Sequence, residues 1–275
     1  MSSDPDFEHD LAEDHDSESF GDSKEAAALA LVRQLFAEYP DRVFFTRQIE
    51  IRFEKNFYHW ITNRAIHRLY QEGAIDREAT TLKIGSPITL WWNKKKRYQK
   101  RPIRAVLDLV NEYSNPRVSE CLGLHGQQMI LGAFARSGFH ILAEDANEFR
   151  GRKWIASNHN LDFIIERDGR CYGVEVKNTL GYIRKEEFEL KTRLAQDLGL
   201  TPMFVVRMMP GDWIWRLKKM GGFVLALRYQ LYPLAYQDLA TRIKERFELP
   251  VDTPRRLYDA TMQRVVDWHD KRSVN

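Results

Sequence analysis

HNLDFIIERDGRCYGVEVKN, residues 159–178, is the stretch on which the reading of this chain turns. Two apolar runs flank Asp168-Gly169, a dipeptide that strongly favours a two-residue β-hairpin turn. Such a turn pairs Arg167 with Arg170 and Ile164 with Gly173. Asp162 then falls opposite Glu175, with Cβ atoms about 4.5–5.5 Å apart. Val174 and Val176 share one face of the second strand, and Glu175 and Lys177 share the other. Leu161, Phe163, Ile164 and Ile165 surround Asp162 in sequence, which is not the setting of a freely solvated carboxylate.

Like charges placed opposite one another destabilise a sheet, and an apolar surround raises the cost. A shared proton would offset it by raising one pKa. A divalent cation bridging both carboxylates would offset it too, since Mg²⁺ takes one or two carboxylates plus waters and substrate phosphates. The cation also gives Lys177 a task. Beside it, the lysine would orient or deprotonate an attacking water, or neutralise charge developing on a phosphate.

The hairpin has neighbours of regular pattern. HGQQMILGAFARSGF reads as a helix ended by Gly138, and RKEEFELKTRLAQDLG as a helix closed by Gly199. PMFVVRMM is an apolar run of buried-strand length, DWIWRLKKMGG reads as a short helix, and FVLALRYQLYP as a further strand. PLAYQDLATRIKERF and PRRLYDATMQRVVDWHDKR read as helices that each begin at a proline. The order α-β-β-α-β, then a strand and two helices, predicts an α/β layer with a mixed sheet.

With these elements in this order, residues of about 120–210 resemble the PD-(D/E)xK nuclease superfamily, the restriction-endonuclease-like fold. The nearest flavour is its Holliday-junction-resolvase and Mrr-like branch. The family core is α-β-β-β-α-β, and its motif puts Asp on one strand and Glu-x-Lys on the next. Asp162, Glu175 and Lys177 match those positions. The branch usually carries a helical Glu about eleven residues before a Gly-aromatic pair. Here the pair is Gly138-Phe139 and the helical position holds Gln127, with Gln128 the alternative if the register slips by one. Gln127 brings no charge, and Leu161 stands where the motif's proline would be.

The resemblance implies a metal-dependent endonuclease that hydrolyses DNA phosphodiester bonds with Mg²⁺ or Mn²⁺. Asp162, Glu175 and the Val176 carbonyl would ligate the metal, Lys177 would assist the water, and Gln127 would fill the helical catalytic position. Restriction, mobile-element or phage defence, and repair roles all fit. The alternative is a DNA-binding or regulatory protein, or a complex subunit, on a catalytically degenerate nuclease fold. Relatives often pair to cut two strands, so a homodimer follows by analogy. His125, His159, Lys191 and Gln196 lie where they could support the site, or serve as ordinary structural and surface residues. Trp213 and Trp215 could stack on bases, or pack in a core or interface.

Upstream, EAAALALVRQLFAEYP reads as a helix ended by Pro40, and TRQIEIRFE as a second with Thr46 as N-cap. FYHWITNRAIHRLYQEGAI reads as a third, with Ile61, Ala65 and Leu69 on one face and Gly73 at its C-cap. Two short β-type runs in LKIGSPITLWW flank Gly85-Ser86-Pro87, a hairpin signal. Three helices and a hairpin follow the order of a winged helix-turn-helix. The outward face of its third helix would offer His59, Asn63, Arg64, His67 and Arg68 to phosphates and base edges. Lys94, Lys95, Lys96 and Arg97, in NKKKRYQKR, would add cations beyond the wing. RPIRAVLDLVNEYS reads as a connecting helix. The expected organisation is a tail at 1–23, a winged helix at 24–100, a linker helix at 101–116 and a nuclease-like domain at 117–275.

Charge sharpens the choice of partner. Residues 1–22 hold nine acidic residues and no Lys or Arg, and read as a disordered, solubilising tail. The rest carries 42 basic against 30 acidic residues, about +12, which favours a polyanion such as double-stranded DNA. Cys121 and Cys171 lack metal-ligand spacing and read as small core residues. No apolar run reaches the ~18 residues of a membrane span. The acidic N-terminus lacks the pattern of a signal peptide, so a cytoplasmic protein with no membrane partner is expected.

Overall fold

A computed structural model describes residues 18–273, with side chains from 23 to 272. The expected tail lies outside the described residues as far as residue 17; from Glu18 the chain is helical. Two compact units are present. The first takes residues up to Pro116 together with Ile243–Leu249, and the second takes Arg117–Arg242 and the residues from Pro250 on.

In the first unit, α1 (Glu18–Glu38) buries Ala28, Val32, Leu35 and Phe36, spaced as one helical face. It stops short of Pro40, whose ring disfavours helix in the residue before it. β1 (Val43–Phe45) leads into α2 (Thr46–Phe53). Thr46 does not cap this helix as expected: Phe45 takes the N-cap position, and the Thr46 hydroxyl accepts from Trp91 Nε1 at 2.9 Å instead. α3 (His59–Gln71) buries Ile61, Ala65 and Leu69 as expected. Gly73, at φ +71°, closes it: the Gly73 N–H donates to Tyr70 O and the Ala74 N–H to Leu69 O.

β2 (Ile75–Thr81) and β3 (Pro87–Asn93) follow, and the sheet order is β1-β3-β2, all antiparallel. The first strand of this hairpin was expected to begin at Leu82. It lies earlier, in IDREATT, an exposed edge strand whose polarity masks it. α4 (Lys100–Tyr113) buries Ile103, Val106, Leu109 and Val110. Ile243–Leu249 belongs here because the Phe247 ring meets Phe45 edge-on at 5.1 Å, and Glu248 pairs with both Arg42 and Arg52.

The second unit opens with α5 (Pro116–Arg136) and β4 (His140–Ala146). A small hairpin of β5 (Glu148–Phe149) and β6 (Arg152–Lys153) precedes β7 (Leu161–Arg167) and β8 (Arg170–Lys177). Then come α6 (Lys185–Asp197), β9 (Thr201–Val206), α7 (Gly211–Lys219) and β10 (Phe223–Ala226). These strands form a five-stranded mixed sheet ordered β10-β9-β8-β7-β4. β4, β7 and β8 pair antiparallel, and β8, β9 and β10 pair parallel. β4 was not anticipated, and it turns α-β-β-α-β into α-β-β-β-α-β.

FVLALRYQLYP was expected to be one strand. It splits into β10 and β11 (Gln230–Leu231), and β11 pairs with β12 (Val251–Asp252) instead. The last two helices start later than their prolines: α8 (Gln237–Phe247) follows a 3₁₀ turn at Leu234–Tyr236, and α9 (Asp259–Ser273) begins at an acidic residue.

Helices cover both faces of the sheet. On one face, Phe163, Ile165, Tyr172, Val174 and Val176 pack with residues of α5 and α9. On the other, Ile164 packs with Leu194 and Ala195 of α6 and with Leu198 just after it, and Phe204 and Val206 pack with Phe188 and Leu217. Gly173 admits α6 closely, since a Cβ there would lie 2.7 Å from Leu161 Cδ1 and 3.1 Å from Ala195 Cβ. The β7–β8 turn is locked from outside. Asp168 and Gly169 both have positive φ, and Asp168 Oδ2 lies 3.0 Å from Nε2 of buried His269, whose Nδ1 lies 2.6 Å from the Tyr172 hydroxyl. Asp168→Gly keeps the turn conformation and removes the carboxylate. It should lower stability by about 1 kcal/mol or more and speed amide exchange in α9. Denaturant unfolding with hydrogen exchange checks this.

Candidate functional site

β7 and β8 pair from Arg167–Arg170 to Phe163–Val174, the register that the Asp168-Gly169 turn predicts. The ladder stops one position short of Asp162 and Glu175. There the Val176 N–H donates to Asp162 Oδ2 at 2.6 Å, so a side-chain carboxylate takes the place of a strand carbonyl. Gln127 Nε2 donates to Asp162 Oδ1 at 2.8 Å. Gln127, and not the exposed Gln128, is therefore the residue of α5 that meets the strand end.

Gly126 explains how the helix comes so near. A Cβ there would sit 2.6 Å from Asn178 Cβ. Asn178 is buried directly after Lys177. Its Nδ2 donates to Leu122 O at 2.8 Å and to Leu231 O at 2.7 Å, and its Oδ1 accepts from the Leu231 N–H at 2.7 Å. These bonds tie α5 and β11 to the end of β8. Sequence reasoning passed over both residues, because neither carries chemistry of its own.

Glu175 is 1% exposed beneath α6, while Lys177, on the same face, stays partly open to solvent. Lys177 Nζ lies 3.1 Å from Glu175 Oε1 and 2.6 Å from Glu187 Oε1. Lys191 Nζ lies 2.7 Å from Glu175 Oε2 and also donates to Asn160 O. Lys191 thus belongs to the site. Glu187 was missed, although its spacing of four from Lys191 puts both on one stripe of α6. Gln196 is exposed, 3.2 Å from Met220 Sδ, and takes no part.

Burial pushes the Glu175 carboxyl up to about 7, the Asp162 charge adds to the rise, and the two lysines oppose it. Burial also raises Asp162 above the usual carboxylate range, against the Val176 N–H and the lysine charges. For Lys177 burial works downward, but Glu175 and Glu187 outweigh it and hold the ammonium above its ordinary value. Among the described residues, no three or more His, Cys, Asp or Glu gather as a metal cage. Two buried oxygen-donor carboxylates, each with its pKa raised, fit a hard divalent cation that completes its shell with water and substrate oxygens.

No family model matches the chain, and no curated protein matches it. Two solved structures share part of its outline. One is a repair endonuclease from Pyrococcus abyssi, at 12% identity and a TM-score of 0.27, over 55% of this chain and 65% of that one. The other is a complex of EndoMS with dsDNA, at 11% identity and a TM-score of 0.23, over 56% of this chain and 64% of that one. The chain spans just under two thirds of each.

The expected DNA face of α3 is only partly open. His59 is 2% exposed and cannot reach a ligand. Its Nδ1 lies 2.7 Å from Arg47 Nη1, and Glu50 and Glu54 flank it at 3.9 and 3.8 Å, because α2 covers the first turn of α3. Asn63 is half-buried and donates to Glu50 Oε1 at 3.2 Å, and His67 packs its ring edge on Trp91 at 5.3 Å. Arg64, Arg68, Lys94, Lys95 and Arg97 are exposed, while Lys96 donates to Asp41 O. Of the remaining candidates, His125 is half-buried with its pKa lowered by burial, and His159 bonds Ser157. Cys121 and Cys171 are half-buried free thiols. No helix among the described residues is long and apolar enough to cross a membrane.

The raised Glu175 pKa has a consequence for stability. A carboxyl that the fold keeps protonated stabilises the folded state at low pH and loses that contribution as pH climbs from its ordinary 4.5 to about 7. In EDTA, wild type should lose stability relative to Glu175→Gln across that window. Urea unfolding of both proteins at several pH values measures it, and a pH-independent difference would refute it.

Proposed function

We propose that the chain is a divalent-metal-dependent endonuclease of the PD-(D/E)xK type, acting on DNA. The observation that carries this reading is the meeting of Asp162, Glu175 and Lys177 at one strand end, bridged to α5 by Gln127. The element order α-β-β-β-α-β supports it. The first unit, read as a winged helix-turn-helix, would hold duplex DNA through Arg64, Arg68, Lys94, Lys95 and Arg97, mainly at phosphates.

Asp162, Glu175 and the Val176 carbonyl would hold Mg²⁺ or Mn²⁺, which when bound supplies Lewis-acid polarisation of the phosphate and a more acidic water. The chain's own residues do the rest. The Val176 N–H and the Gln127 amide fix both Asp162 oxygens, so the carboxylate is preorganised. Lys177 offers its ammonium to the phosphate oxygens or to the attacking water, while Glu187 keeps it from collapsing wholly onto Glu175. Lys191 steadies Glu175 from the other side as a positioning residue. Cover by α6 keeps bulk water from Glu175.

One observation favours a second reading. Gln127 is uncharged, and Glu175 already has two ammonium partners, so the site is internally compensated without a cation. This is what a DNA-binding protein on a degenerate nuclease fold would keep.

Supercoiled plasmid incubated with Mg²⁺, Mn²⁺ or EDTA separates the two. The nuclease reading expects metal-dependent nicking that falls by about a hundredfold or more in Asp162→Asn and Lys177→Ala. Binding without nicking in any metal selects the degenerate fold, and nicking indifferent to both substitutions removes the assignment. Gln127→Glu would add the third carboxylate. It should tighten Mn²⁺ binding about tenfold by calorimetry and lower the melting temperature in EDTA, since the new charge would face Asp162 uncompensated.

A further inference from the structure

Helix α7 crosses from β9 to β10 and presents two unlike sides. Its inner side is fixed: Leu217 is fully buried, and Trp213 stacks on Phe188 with centroids 4.9 Å apart and planes 14° from parallel. Its outer side is an aromatic set among cations. Trp215 is 56% exposed, and Lys219 Nζ lies 3.5 Å from its ring centroid. Arg216 and Lys218 are exposed beside it, and among the described residues Arg216 faces a nearby acid, Glu189 at 3.7 Å. Asp212, in the first turn, is the acid that α7 itself carries.

Exposing most of an indole forgoes the burial that a tryptophan usually finds. Here the ring is carried on a helix, one turn from an ammonium that lies over its face and could pass to a phosphate. An aromatic face for a base and cations for the backbone are the two parts of a single-strand-binding surface. The body of the chain, about +12 outside its first 22 residues, supplies complementary charge. We propose that Trp215, with Lys218 and Lys219, binds single-stranded DNA, the ring stacking on an unpaired base and the lysines meeting the flanking phosphates. The choice of DNA over RNA rests on the nuclease reading above; the single-strand surface itself does not.

The test is binding of fluorescein-labelled dT12, U12 and a 12-base-pair duplex in EDTA, so that catalysis plays no part. Trp215→Ala should weaken dT12 binding about tenfold, within the range for loss of one stacked base, and leave duplex affinity within about twofold. Trp215→Phe should recover most of the loss, and Lys219→Met should weaken dT12 binding and flatten its salt dependence. An unchanged melting temperature of Trp215→Ala excludes damage to the fold. Three outcomes overturn the proposal: dT12 affinity unchanged in Trp215→Ala, equal loss for dT12 and duplex, or no recovery in Trp215→Phe. Tighter binding of U12 than dT12 overturns the choice of DNA. Plasmid nicking is scored separately, so a dead carboxylate site and a failed stacking surface give different results.

Discussion

The hydrogen bond from the Val176 N–H to Asp162 Oδ2 is the constraint on which the second unit is organised. It forms where the β7–β8 ladder would otherwise continue, and it spends an ionisable side chain on a backbone donor. A charge-assisted bond of this kind contributes roughly 1.5–3 kcal/mol. Removing two carboxylates from water costs several kcal/mol per ion. The strand end is therefore a local deficit, and the surrounding structure offsets it. Apolar clusters pack against both faces of the sheet, Asn178 pins three elements at the strand end, and the Asp168–His269–Tyr172 chain holds the turn.

Much of this was legible because the turn is chemically exacting. Asp168-Gly169 admits few conformations, so it set the register, and the register carried Asp162 to Glu175 without any knowledge of the sheet. Alternation then placed Glu175 and Lys177 together. Alternation alone did not say what covers that face. Lys191 and Glu187 share a helical stripe, yet a stripe of charges looks the same in water as under a sheet, and only the packing of α6 distinguishes them.

The misses share a cause. β4 and β2 are edge strands, half-exposed and mixed in polarity, so their alternation is weak. His59 lies on the same stripe of α3 as Asn63 and His67, and the stripe was read as outward. The first turn of that helix is roofed by Glu50 of α2 and by Glu54 just after it, a tertiary contact with no trace in the period of α3. Thr46 has the chemistry of an N-cap, but the Trp91 indole claimed its hydroxyl. In each case local pattern was sound and a neighbour distant in sequence decided the outcome.

Gln127 is where the local and distant arguments meet. A carboxylate at its position would point a third negative charge at Asp162 Oδ1, beside a Glu175 already pushed toward neutrality. The amide donates where that carboxylate would repel: Asp162 receives two N–H groups, and Glu175 is ion-paired with two ammoniums. These partners would raise the threshold for a cation, which would have to displace or share them and would gain two carboxylates in return. A phosphate would shift that balance. It brings oxygens to the metal and a second anion to Lys177, so metal and DNA would each strengthen the hold on the other. On the nuclease reading, a site arranged this way would stay quiet until its substrate arrived, and the uncharged Gln127 would set how quiet.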